Sequence, residues 1–161
     1  MGELISYSIN AHQDYARRPS KTVRLWDKET PYSVHSIWCA LTLLHETDLP
    51  EATRIIGSKA LVLHDVLEDT TSPLPSNIEP EVVKLVKEVT FDSQDEAMEK
   101  IWERSNEARL ITLYDMVSNM LDGSWMNDEQ RRFYLDYTLK LKDSVKTSYG
   151  NLNIVKIAEA L

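Results

Sequence analysis

The chain has 161 residues, enough for one globular domain with a sizeable core. Its composition is ordinary for a globular protein, 42% hydrophobic and 27% charged, and its four glycines disfavour a many-turned all-β fold. The net charge of −8 disfavours duplex nucleic acid as a partner, although a metal or a few local cations would still let the chain take a phosphorylated small molecule.

The elements read in chain order are helical nearly throughout. Leu4 to Arg18 predicts a first helix, stopped by Pro19, with His12 on an exposed face. No basic region followed by an apolar core opens the chain, so no signal peptide is expected. No apolar run is long enough to span a membrane, and a cytoplasmic protein is the expectation. A polar connection from Pro19 to Pro31 carries Arg24 and Trp26. Ser33 is placed to cap a second helix with the stripe Val34, Ile37, Trp38, Leu41 and Leu44, closed by His45. Cys39, the only cysteine, excludes an internal disulfide and reads as a small core residue.

Pro50 suits the first turn of a third helix running to about Asp69, with a break near Gly57. Three prolines between 70 and 80 mark a loop. Val82, Val83, Leu85, Val86 and Val89 predict a helix to about Thr90, and Ser93 with Glu96 is a capping-box pattern opening a helix to about Arg104. A helix from about Ala108 to Leu121 should end at Gly123. Asn127 with Gln130 opens a long helix through Phe133, Tyr137 and Leu141, and a last helix covers about 152–161.

Chemistry-bearing residues fall inside apolar segments. In Leu61-Val62-Leu63-His64-Asp65-Val66-Leu67-Glu68-Asp69-Thr70, a buried helix receives one histidine and three carboxylates. Ionised carboxylates are costly to bury unless paired or metal-bound. Helical spacing puts Glu68 one turn above His64 and Asp69 one turn above Asp65. The segment alone is equally compatible with a buried histidine and solvated carboxylates at a helix end. Asp115 and Asn119, four apart, interrupt another apolar helix, either as a ligand with its neighbour or as a hydrogen-bonded structural pair. His35, in the first turn of the second helix, would alone read as structural. Together these are two imidazoles and at least two carboxylates on three helices, a nitrogen and oxygen set suited to manganese, iron, cobalt or zinc.

The order His35, His64-Asp65, Asp115 resembles the HD superfamily of metal-dependent phosphohydrolases. Arg24, Thr30-Pro31-Tyr32-Ser33-Val34-His35, His64-Asp65 with Glu68-Asp69-Thr70, the helix from Val83 to Thr90 and the Asp115-to-Asn119 spacing are similar to the RelA/SpoT-type (p)ppGpp hydrolase domain and its small stand-alone relatives. That resemblance covers about residues 20–123. It implies an all-α, single-domain HD-type helical bundle over 1–161, with the helices of 127–161 packed on the motif-bearing core. It implies one divalent transition metal, manganese foremost, held by His35, His64, Asp65 and Asp115. It further implies Glu68 and Asp69 as the catalytic pair and Arg24, Trp26 and Asn119 as substrate-binding groups. The implied partner is a small-molecule nucleotide, without duplex nucleic acid or membrane, and self-association is left open.

The chain departs from that family at Thr112 and Met116, where its members carry cations, and in the acidic loop of Asp27 and Glu29. Two alternatives therefore stay open. One is an HD-type deoxynucleotide phosphohydrolase, a 5′-nucleotidase or a triphosphohydrolase, whose members also place an arginine and a tryptophan before the first histidine. The other is a catalytically silent nucleotide-binding module.

Overall fold

Burial of apolar helix faces around one core organises the chain. The computed structural model describes residues 1–161. It contains α1 (Gly2–Asp14), α2 (Ser33–Leu44), α3 (Glu51–Leu63), α4 (Val66–Asp69), α5 (Pro80–Glu88), α6 (Gln94–Lys100), α7 (Asn106–Leu121), α8 (Asp128–Tyr149) and α9 (Asn153–Glu159). There is no sheet, only two isolated bridges, Ala16 with Thr70 and Val23 with Pro31. One buried cluster runs from Ala11 to Ala158 and draws on α1, α2, α3, α5, α7, α8 and α9. Helix α7 is its axis, with Leu110, Ile111, Leu113, Tyr114 and Val117 all fully enclosed. No helix is long and apolar enough to cross a membrane.

Several local expectations are corrected. Helix α1 stops at Asp14, short of Arg18, because the following residues turn away to bond the chain near Thr70: the Arg17 amide donates to the Asp69 carbonyl and the Thr71 amide to that of Tyr15. His12 is buried, not exposed, and stacks on Tyr32 with ring centroids 4.7 Å apart. Ser33 is the first residue of α2 and caps nothing. Val34 and Leu41 of the expected stripe are exposed, and the buried face of α2 is His35, Ser36, Cys39, Ala40 and Leu43. Small residues let the helix sit close to its neighbour, and that outweighs the larger apolar area of the other face. Gly123 lies in a 3-10 turn with no left-handed backbone, and Gly150 is the glycine with positive φ. Ser93 and Asn127 do cap α6 and α8, the latter with a full capping box.

The break in the third helical segment falls at His64-Asp65, not at Gly57. Gly57 lies mid-helix, where a Cβ would stand 2.6 Å from Leu43 Cδ2. The missing side chain lets α2 and α3 approach, and one consequence is that the His35 and His64 rings lie 5.5 Å apart. At the far end of α2, buried Glu46 accepts from the Asn153 amide (2.8 Å) and from Tyr114 Oη (3.4 Å), tying α9 to the core. Gly57→Leu should therefore overpack the α2–α3 seam. Overpacking costs about 1–3 kcal/mol, or about 2–12 °C of Tm in a chain of this size. A thermal melt followed by circular dichroism checks it; an unchanged or higher Tm would contradict the close approach.

Candidate metal centre

Three helical segments deliver the donors. His35 comes from the first turn of α2, His64-Asp65 from the α3–α4 break, and Asp115 from mid-α7. Donor atoms of His35, His64 and Asp115 lie within 4.8 Å of one another. His35 Nε2 is 2.9 Å from Asp115 Oδ1 and 3.9 Å from Asp65 Oδ2. His64 Nε2 is 3.2 Å from Asp65 Oδ2 and 3.6 Å from Asp115 Oδ1.

The opposite edge of each imidazole is anchored. His64 Nδ1 is 2.7 Å from the Leu61 carbonyl and must donate to it, which leaves the Nε2 lone pair for the centre. His35 Nδ1 is 2.8 Å from Ser118 Oγ. Such bonds fix ring orientation in metal sites. Asp115 Oδ1 also accepts from Asn119 Nδ2 at 2.7 Å. His64 Nε2 and Asp65 Oδ2, both buried, make no hydrogen bond at all. Leaving such atoms unpaired costs about 1–3 kcal/mol each, and more when charged. Two imidazoles and two carboxylates converging on one gap, two of their atoms orphaned, fit a divalent ion.

The electrostatics agree. Burial opposes charge on Asp115, yet its bond to His35 and the nearby His64 imidazole hold it well below the usual carboxylate range. Burial likewise opposes an imidazolium at His64, but Asp65 and Asp115 push its pKa up to about 10. The site is thus strongly attractive to positive charge. Burial first and then the Asp65 charge raise Glu68 to about 7.

The centre opens into a cavity of about 210 Å³ lined by Lys21, Arg24, Tyr32, Glu68, Asn119 and Tyr134 among others. A smaller lobe of about 50 Å³ with a mixed lining, including Phe91, Ile111 and Thr112, adjoins it across Asp65, Glu68 and Asp115. Glu68 faces both lobes. One of its oxygens accepts the Phe91 amide at 2.7 Å, and the other makes no hydrogen bond. Asp69 lies off both lobes, bound at 2.8 Å by Lys21.

Arg24 and Asn119 meet as well. Arg24 donates to both oxygens of Asp122 (2.8 and 3.0 Å) and to Asn119 Oδ1 (2.8 Å). Trp26 is half exposed and lines a different hollow, with Val34, Trp38 and Leu121, behind His35. Ser118, Asp122 and Lys21 were not singled out from the sequence, and Tyr32 only as part of the Thr30–His35 segment. Ser118 and Asp122 lie three and seven residues after Asp115, on its helical face, which is a usable signal. Lys21 ends a three-residue 3-10 turn, Pro19–Lys21, too short to leave a period in the sequence.

No family model matches this sequence, and no curated protein matches it. Among solved structures, a metazoan SpoT ortholog, described as hydrolysing ppGpp with a role in starvation responses, superposes with a TM-score of 0.74. The match has 25% sequence identity and covers 99% of this chain and 91% of that one. The fold is that of an HD-type metal-dependent phosphohydrolase, and the His35, His64 and Asp115 cluster fits a metal site of that type. The resemblance seen in the motifs thus extends to the whole HD-type fold, including α8 and α9, which carry no motif.

Because Ser118 aims His35 at the centre, Ser118→Ala should weaken divalent-metal binding about 10- to 100-fold with the fold intact. Calorimetric titration of the stripped protein with manganese reads this directly. Unchanged affinity would exclude Ser118 from orienting the ring.

Proposed function

We propose that this chain hydrolyses a phosphate or pyrophosphate ester of a nucleotide in the cytoplasm, with (p)ppGpp losing its 3′-pyrophosphate as the leading reaction and manganese as the leading metal. One observation carries the reading: the His35, His64 and Asp115 cluster, with Asp65 beside it, opens into a cavity that holds Glu68 and two cations. The whole-chain likeness to a ppGpp-hydrolysing SpoT ortholog supports it.

His35, His64, Asp65 and Asp115 would hold the ion. A divalent ion in such a set supplies Lewis-acid charge that polarises a phosphoryl oxygen and acidifies water. Around it the chain's own groups divide the work. Glu68, fixed by the Phe91 amide and with one oxygen free, orients the attacking water and takes its proton. Having taken that proton, the same group is placed to return one to the leaving oxygen. Asn119, polarised between Arg24 and Asp115, borders the nucleotide. Asp69, the other half of the expected catalytic pair, acts through Lys21.

A second reading has a specific observation in its favour. Thr112 spends its hydroxyl on the Ala108 carbonyl and Met116 lines both lobes, so neither brings a cation. A less charged substrate, such as a deoxynucleotide, suits that lining. A panel of ppGpp, ribo- and deoxynucleoside mono- and triphosphates and 3′-phosphorylated nucleotides, each with manganese, separates the two. Pyrophosphate released from ppGpp alone is the expected result. Phosphate or triphosphate released from deoxynucleotides, with ppGpp intact, would replace it.

Glu68→Gln preserves shape and removes the base. Turnover of the active substrate should fall about 10²–10⁴-fold, with manganese content unchanged by elemental analysis. Near-normal turnover would take Glu68 out of the mechanism.

A further inference from the structure

Two cations face the 210 Å³ cavity, Lys21 and Arg24, and they differ in burial and in how their charge is paired. Arg24 is 6% exposed, and its Nε and Nη2 are committed to both oxygens of Asp122 and to Asn119, while its Nη1 bonds no protein group. Its charge is matched by a bidentate carboxylate, the strongest form of that pair.

The Lys21 ammonium has three donors. One meets Asp69 Oδ2 at 2.8 Å, a second meets Tyr32 Oη at 3.3 Å, and no protein group takes the third. Its side chain is 27% exposed while that of Asp69 is 5% exposed, so an open ammonium sits on a buried support. The support is extensive. His12, 1% exposed, stacks on the Tyr32 ring and its Nδ1 lies 3.2 Å from the Lys21 carbonyl. The Tyr32 ring in turn lies 5.1 Å from Lys21 Nζ. One residue is thus gripped through its backbone by His12 and through its ammonium by Tyr32 and Asp69. A lysine that only neutralised Asp69 would need neither the open donor nor a place on the cavity wall.

We propose that Lys21 is the group that takes the substrate's phosphate, and that Asp69, Tyr32 and His12 are positioning residues that hold its ammonium in the cavity. This rests on the cavity being a phosphohydrolase site and narrows how substrate is read there: Lys21, the more exposed cation, offers its third donor to phosphate, while Arg24, buried and paired with both oxygens of Asp122, organises Asn119 and Asp122. The ligand class is a phosphate or pyrophosphate group on a nucleotide.

The test uses inorganic pyrophosphate and manganese-loaded protein in calorimetric titration, with no turnover required. Wild type binds pyrophosphate. Lys21→Met should weaken that binding about 10- to 100-fold, the scale of one lost charge-assisted hydrogen bond. Lys21→Arg should recover most of it, and manganese affinity should match wild type in both. A purely structural lysine predicts a lower Tm with pyrophosphate affinity unchanged. Should Lys21→Met fail to fold with Asp69 unpaired, the Lys21→Met/Asp69→Asn pair removes both charges and is expected to show the same weakened binding. Wild-type affinity in whichever of these folds, or no pyrophosphate binding by the wild type, overturns the proposal. Turnover of ppGpp by wild type is scored separately. A protein that binds pyrophosphate through Lys21 but leaves ppGpp intact overturns the substrate reading and not this one.

Discussion

The structure turns on the cost of bringing Asp65, Asp115 and two imidazoles together inside an apolar bundle. Buried ion pairs seldom stabilise a fold over apolar packing of the same volume. Here two of the converging atoms, His64 Nε2 and Asp65 Oδ2, lack even a hydrogen bond. A fold selected for stability alone would fill this space with aliphatic side chains, as the rest of α7 does. The convergence makes physical sense as a receptor for positive charge, with stability contributed by the surrounding core.

Much of the architecture follows from that requirement. Gly57 and the small face of α2 draw α2 against α3. Helix α7 crosses the core and carries Asp115 to the same point. From there a continuous line of bonds runs outward. Ser118 holds His35, His35 and Asn119 hold Asp115, Arg24 holds Asn119, and Asp122 holds Arg24. The connection before α2 is drawn into this line, since the Arg24 amide donates to the Thr30 carbonyl and Asp27 accepts the Glu29 and Thr30 amides. The cavity wall is therefore a rigid extension of the metal centre, which is the preorganisation that catalysis of phosphoryl transfer needs.

Helix identity and the convergence of His64 and Asp115 were legible in the sequence because both leave periodic signals, while His35 entered through the motif order. Polar residues interrupting apolar runs at His64, Asp65 and Asp115 stood out against their neighbours. What escaped was decided by tertiary contact. The α2 face was misjudged because volume complementarity at Gly57 and Leu43 outweighs total apolar area. His12 was read as exposed because its burial depends on Tyr32, twenty positions away. Asp69 was legible as a carboxylate near the centre, but its capture by Lys21 depends on a connection with no period. Trp26 satisfied a motif by order in the chain and yet faces another hollow, because the loop folds on Asp27.

The central claim is that His35, His64, Asp65 and Asp115 form one divalent-metal site. Crystals grown with manganese and measured at its absorption edge test it most directly. The account predicts a single strong anomalous peak per chain, within coordination distance of His35 Nε2, His64 Nε2 and oxygens of Asp65 and Asp115. A featureless map at that position in a manganese-saturated crystal, or a peak ligated by other residues, would contradict it.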